Sequence, residues 1–273
     1  AEKGFRPDDS EWKNLGQGAP ETGELPGSAP RIESIELPSS TCEYAPIGGL
    51  MELRERVAEL YNARFRRGLP SKYTAENVAI SGGGRAGLTR VAATLGAIHL
   101  GHLLPDYTAY EELPETFRAF VPMPTVVHRD DGFSLPTEQL RREIVGRGLG
   151  ALLLSNPCNP TGQVVRGGAL RAWVEMCREL GVALLVDEFY SHYLYEEALR
   201  SDGPALSAVR WVEDVEKDPV VVVDGLTKNW RYPGWRLSWT VGPSWLIERV
   251  ASAGSFLDGG ASHPIQRAAI PLV

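Results

Sequence analysis

Apolar positions along the chain fall into two patterns. At helical spacing they mark Gly49 to Phe65, where Leu50, Leu53, Val57, Leu60 and Phe65 recur with charges between them. A second amphipathic stretch begins near Ala86, with Leu88, Val91, Leu95 and Ile98 on its face. A third covers Ala169 to Leu180, with Leu170, Trp173, Val174, Cys177 and Leu180 on one side. Between these lie short unbroken apolar runs: Val78 to Ser81, Ala151 to Ser155, Val182 to Asp187 and Val220 to Asp224. Strands apolar on both faces, alternating with helices, predict an α/β fold. The expectation is a three-layer, mainly parallel sheet with helices on both faces. Residues 1–48 are rich in Gly, Pro and Ser and read as an extended arm, leaving 49–273 as one large domain.

The polar residues sharpen this picture by where they fall. Ser81, the pair Asn156 and Asn159, Asp187 and Lys228 all come at or just after the carboxyl ends of the apolar runs. In an open α/β sheet that edge is where ligands sit. Four strand ends would therefore present a glycine-rich loop, two amides, a carboxylate and a lysine to one crevice.

Composition narrows the classes of function. The 273 residues carry a formal charge of −7, which argues against a nucleic-acid surface. Three cysteines without CxxC spacing argue against a disulfide framework and for a reducing, cytoplasmic setting. Five histidines form no metal-ligand motif, so no metal is expected. There is no apolar run long enough for a membrane span, and the polar, charged residues 1–9 do not read as a signal peptide.

Lys228 follows the run VVVVD and leads into Trp230, Tyr232, Pro233, Gly234, Trp235 and Arg236. A lysine after a strand is ordinarily a solvated charge, but a rigid aromatic stretch ending in arginine is not an ordinary surface. The segment resembles the lysine signature of fold-type I pyridoxal-5'-phosphate (PLP) enzymes, the class I/II aminotransferases. That resemblance implies that Lys228 holds PLP as a Schiff base, with Thr227 beside it, and that Arg236 binds the cofactor phosphate, a role its planar fork suits. Further motifs follow in the family's order. Asn156-Pro157-Cys158-Asn159-Pro160-Thr161-Gly162 resembles its Asn-Pro-x-Asn-Pro-Thr-Gly run, which implies that Asn159 binds the phenolic oxygen and borders the substrate. Asp187-Glu188-Phe189-Tyr190 resembles Asp-x-x-Tyr, with Asp187 on the pyridine nitrogen and Tyr190 sharing the phenolic oxygen. Ser81-Gly82-Gly83-Gly84-Arg85-Ala86 is similar to the phosphate loop, with Gly84, Arg85 and Ala86 offering backbone N–H groups at a helix start. Pro105-Asp106-Tyr107-Thr108-Ala109-Tyr110 resembles Pro-x-Tyr-x-x-Tyr, with Tyr107 stacked on the ring. Tyr44 stands in a segment resembling the one that reaches the neighbouring active site of a homodimer. Asn14 to Pro20 resembles the substrate-covering loop, with Gly18 facing the substrate carboxylate.

The resemblance implies transfer of an amino group between an L-amino acid and a 2-oxo acid, with Lys228 as general base and Asp187 and Tyr190 beside it. Other PLP chemistry on the same scaffold remains open: a β-lyase, a decarboxylase, a cyclopropane-forming synthase, or a non-catalytic PLP sensor. Two departures stand out. Gly225 occupies a position where the family often carries a phosphate-binding serine. The chain ends at Val273, before the family's C-terminal small domain and its substrate-carboxylate arginine, and this suggests truncation.

Overall fold

A computed structural model describes residues 18–116, 119–197 and 203–273. Seven strands form one sheet: β1 (Val78–Ser81), β2 (Ile98–Leu104), β3 (Phe120–Val126), β4 (Leu149–Ser155), β5 (Ala183–Asp187), β6 (Val220–Gly225) and β7 (Ser238–Val241). Their order is β1-β7-β6-β5-β4-β2-β3. β7 pairs antiparallel with β1 and β6, and the remaining pairings are parallel. The helices are α1 (Met51–Phe65), α2 (Gly84–Thr94), α3 (Ala109–Thr116), α4 (Thr137–Arg147), α5 (Gly167–Leu180), α6 (Ser244–Leu257) and α7 (His263–Ala269).

The unbroken apolar runs follow from burial on both faces. In β6, Val220 and Val222 join the core under α1, α4 and α5, while Val221 and Val223 join the core under α2, α3 and α6. In β4, Leu152 and Leu154 face the first core, and Ala151 and Leu153 the second. Period-two alternation of side chains thus feeds two cores from one strand. The result is the three-layer α/β architecture that the pattern predicts.

Several elements differ from the sequence expectation. Ile98 does not extend α2. The helix ends at Thr94, and Ile98 opens β2 instead, a strand whose histidines and glycine mask it. Edge strand β3 carries Pro122 and Pro124 and leaves four of its seven residues exposed, so it has no buried apolar run. α2 begins at Gly84 rather than near Ala86, and α1 begins at Met51 because Gly49 takes φ +100° ahead of it.

Register aligns the strand ends. Ser155 pairs with Asp187, and Asp187 with Val223, so β4 and β5 finish level and β6 runs two residues further, to Gly225. The loops after β1, β2, β4, β5 and β6 therefore open on one edge.

Candidate active site

A cavity of about 620 Å³ lies on that edge. Gly18, Gly84, Arg85, Tyr107, Asn159, Asp187, Tyr190, Thr227, Lys228 and Arg236 all line it. These ten residues come from six separate segments of the chain. Two other predicted residues do not line it. Ala86 sits in the first turn of α2 behind Arg85, and the Tyr44 side chain is 96% exposed. Asn14 to Gln17 lie outside the described residues.

Asp187 ends β5 with its carboxylate at the base of the cavity. It is buried, and burial raises its pKa to about 6, against the opposing pull of its hydrogen bonds and of Lys228. The Tyr110 hydroxyl donates to Oδ2 at 2.6 Å, and the Phe189 amide donates to Oδ1 at 3.1 Å. Sequence reasoning assigned Tyr107 and passed over Tyr110. The Tyr110 ring meets that of Tyr107 edge-on at 5.6 Å, so both aromatic positions of the motif are turned toward the same wall.

Lys228 follows β6 and is half-buried. Desolvation lowers the pKa of its amine, and the nearby Asp187 partly offsets this. The amine donates to the carbonyl of Gly18 and lies 5.6 Å from the centre of the Tyr190 ring. Gly18 thus roofs the lysine. The arm that carries it is held in place by two arginines. Arg231 donates to the carbonyls of Glu21 and Gly23, and Arg31 donates to those of Trp230 and Arg231 with its guanidinium 3.5 Å over Tyr232.

Arg236 meets the start of α2. A Cβ added to Gly83 would lie 2.5 Å from Arg236 Nη2, and Gly83 itself has φ +104°, so this position excludes a side chain on two grounds. One added to Gly84 would strike the Phe189 ring at 2.6 Å. The glycines let a guanidinium and a helix N-terminus converge, a combination that suits an anion.

The loop after β4 is self-bracing. The Asn156 amide donates to the Val165 carbonyl at 2.8 Å and accepts from the Val165 N–H at 2.9 Å. The Asn159 N–H donates to Ser155 Oγ, which in turn bonds buried Asp106. Asp106 also accepts from the Tyr107 N–H at 2.7 Å, linking the Asn159 loop to the Tyr107 loop. Burial raises the Asp106 pKa to about 6.

The structure gives a steric reason for Gly225. A Cβ there would lie 2.5 Å from the Leu237 carbonyl and 2.6 Å from Ser238 Cα, because β7 starts against it. Serine does not fit without moving that backbone.

A buried carboxylate, a half-buried lysine, an aromatic wall and an arginine beside a helix N-terminus define a site for an anionic ligand with a flat ring. Residues 10–272 match the family aminotransferase class I and II, and the chain belongs to that family, whose cofactor is PLP. Among its relatives, the probable aspartate/prephenate aminotransferase of Thermus aquaticus is 31% identical over 215 residues, which are 78% of this chain and 52% of the relative. The probable N-succinyldiaminopimelate aminotransferase of Mycobacterium tuberculosis is 26% identical over 260 residues, covering 93% and 62%. A solved Thermus thermophilus aspartate aminotransferase variant superposes with a TM-score of 0.74 at 27% identity, over 85% of this chain and 60% of that one. The chain spans about half the length of the first of these relatives.

The residues present fit the cofactor. Asp187 is an acceptor beneath the cavity floor, Tyr107 offers an aromatic face, Lys228 offers an amine, and Arg236 with the start of α2 offers an anion site.

Proposed function

We propose that the protein is a PLP-dependent aminotransferase that moves an amino group between an L-amino acid and a 2-oxo acid. The observation that carries this reading is one cavity holding both the Lys228 amine and the buried Asp187 carboxylate. When bound, PLP supplies an electron sink for a carbanion at the substrate Cα.

The roles follow from what each group can do. Lys228 would hold the cofactor through its amine and, as a free base, would carry the proton taken from the substrate Cα. A lowered amine pKa favours that work because it leaves more free base near neutral pH. Asp187 would accept a hydrogen bond from the pyridine nitrogen and keep that nitrogen protonated. Asn159 and Tyr190 donate to the phenolic oxygen. Tyr107 orients the ring by stacking. Arg236, Thr227 and the N–H groups from Gly84 to Ala86 bind the phosphate. Gly18 and Asn159 border the substrate. Tyr44, exposed on this protomer, reaches the neighbouring active site of a homodimer. The setting is cytoplasmic. Among the described residues no helix is long and apolar enough to cross a membrane.

The test is transfer itself. Protein supplied with PLP, an amino acid from a panel that includes aspartate and glutamate, and a 2-oxo acid should yield the exchanged pair. Lys228→Ala should lose about a hundredfold or more. Release of ammonia or carbon dioxide in place of exchange would overturn transamination in favour of β-elimination or decarboxylation.

A further inference from the structure

Behind Lys228, on the side away from the cavity, lies a polar knot that the proposed chemistry does not use. Asn229, the next residue, turns its side chain inward. Its Nδ2 donates toward the Asp224 carboxylate (2.9 and 3.0 Å), Ser191 Oγ (2.9 Å) and the Glu188 carbonyl (3.0 Å). Its Oδ1 accepts from the His192 N–H at 3.1 Å. An amide with two N–H groups thus meets four acceptors, and its orientation is fixed from every side. Asp224 and Glu188 are both buried, and burial holds both carboxyl groups above their ordinary range. The Gly225 N–H also donates to Asp224, at 2.6 Å.

Apart from Asp224, the partners of the Asn229 side chain are not scattered. Glu188, Ser191 and His192 belong to the segment that begins at Asp187 and carries Tyr190. A second bond joins the same two segments, since the Tyr193 hydroxyl donates to the Lys228 carbonyl at 3.1 Å. The Tyr193 ring packs edge-on against Tyr190 at 5.3 Å. Lys228 is therefore gripped through its own carbonyl and through its neighbour's side chain, both times by the strand-end segment that carries Asp187 and Tyr190.

We propose that Asn229, assisted by the Tyr193 hydroxyl, is a positioning residue that locks the Lys228 backbone to the Asp187–Tyr193 segment, so that the lysine amine and the groups facing the cofactor ring keep one register. The proposal rests on the PLP reading of the cavity. Its physical basis is that a reacting amine displaced by an ångström loses rate far more than a bound ring loses affinity.

Two ligands separate positioning from general damage. PLP has an aldehyde with which the Lys228 amine condenses, releasing one water. Pyridoxamine 5'-phosphate has no aldehyde and reports the rest of the site. For Asn229→Ala, capture of PLP should slow by about tenfold or more, with the Kd for pyridoxamine 5'-phosphate within about twofold of wild type. Tyr193→Phe, which deletes one hydroxyl, should slow capture by about threefold and decides the matter if Asn229→Ala does not fold. Unchanged capture, or equal weakening toward both ligands, would overturn the positioning role. Failure of the wild type to capture PLP would instead overturn the reading of the cavity.

Discussion

Asp187 shows how a single residue ties chemistry to stability. Its carboxylate gives up water for one hydroxyl and one amide, and its pKa rises to about 6. Between the ordinary carboxylate range and that value the folded protein binds more protons than the unfolded chain. Its contribution to stability is therefore fully present at low pH and is lost as pH rises through about 6. Asp106, also raised to about 6, and Glu188, raised to about 8, act with the same sign. Without cofactor, the Tm should fall by several degrees between pH 5 and pH 8, and Asp187→Asn should fall less steeply. Calorimetry at the two pH values checks this, and a wild-type Tm that rises with pH would contradict it. Lys228, Asp187, Asn159 and Arg236 were legible in the sequence because each stands in a run of fixed spacing just after a strand. Tyr110, Phe189 and Ser155 also line the cavity but were not singled out. What marks Tyr110 is a contact with Asp187 across three strands' worth of chain, and no local pattern encodes it.

At the scale of elements, the start of α2 shows how backbone choice makes a binding surface. The positive φ of Gly83 and the nearness of Arg236 demand the same thing, the absence of a Cβ. Gly83→Ala should strain the turn by about 1 kcal/mol and push the guanidinium from its place. The affinity for PLP, read by titration, should fall about tenfold with little change in secondary structure. Unaltered affinity would show that Arg236 and the α2 N-terminus do not act together. Strands β1, β4, β5 and β6 were readable because burial on both faces leaves unbroken apolar runs. β2, β3 and β7 were not. β2 mixes histidine and glycine with leucine, β3 is an edge blunted by prolines, and β7 alternates Ser238 and Thr240 with Trp239 and Val241. Their place in the sheet is decided by tertiary pairing, against weak local preference.

Over the whole molecule, the sheet works as a jig. Its parallel strands end on one edge, and the loops that leave them build a cavity that no single element contains. The arm is drawn across the lysine loop by Arg31 and Arg231, which closes the cavity over the amine with Gly18. Family membership and fold agree with that construction. The central claim is that this cavity takes PLP on Lys228. The measurement that tests it most directly is the absorbance spectrum of the protein with PLP, followed by borohydride reduction and peptide mapping, for wild type and Lys228→Ala. The wild type should show a visible band and a reduced adduct on the peptide that contains Lys228, and the variant neither. A wild type without the band, or an adduct on another lysine, would contradict the claim.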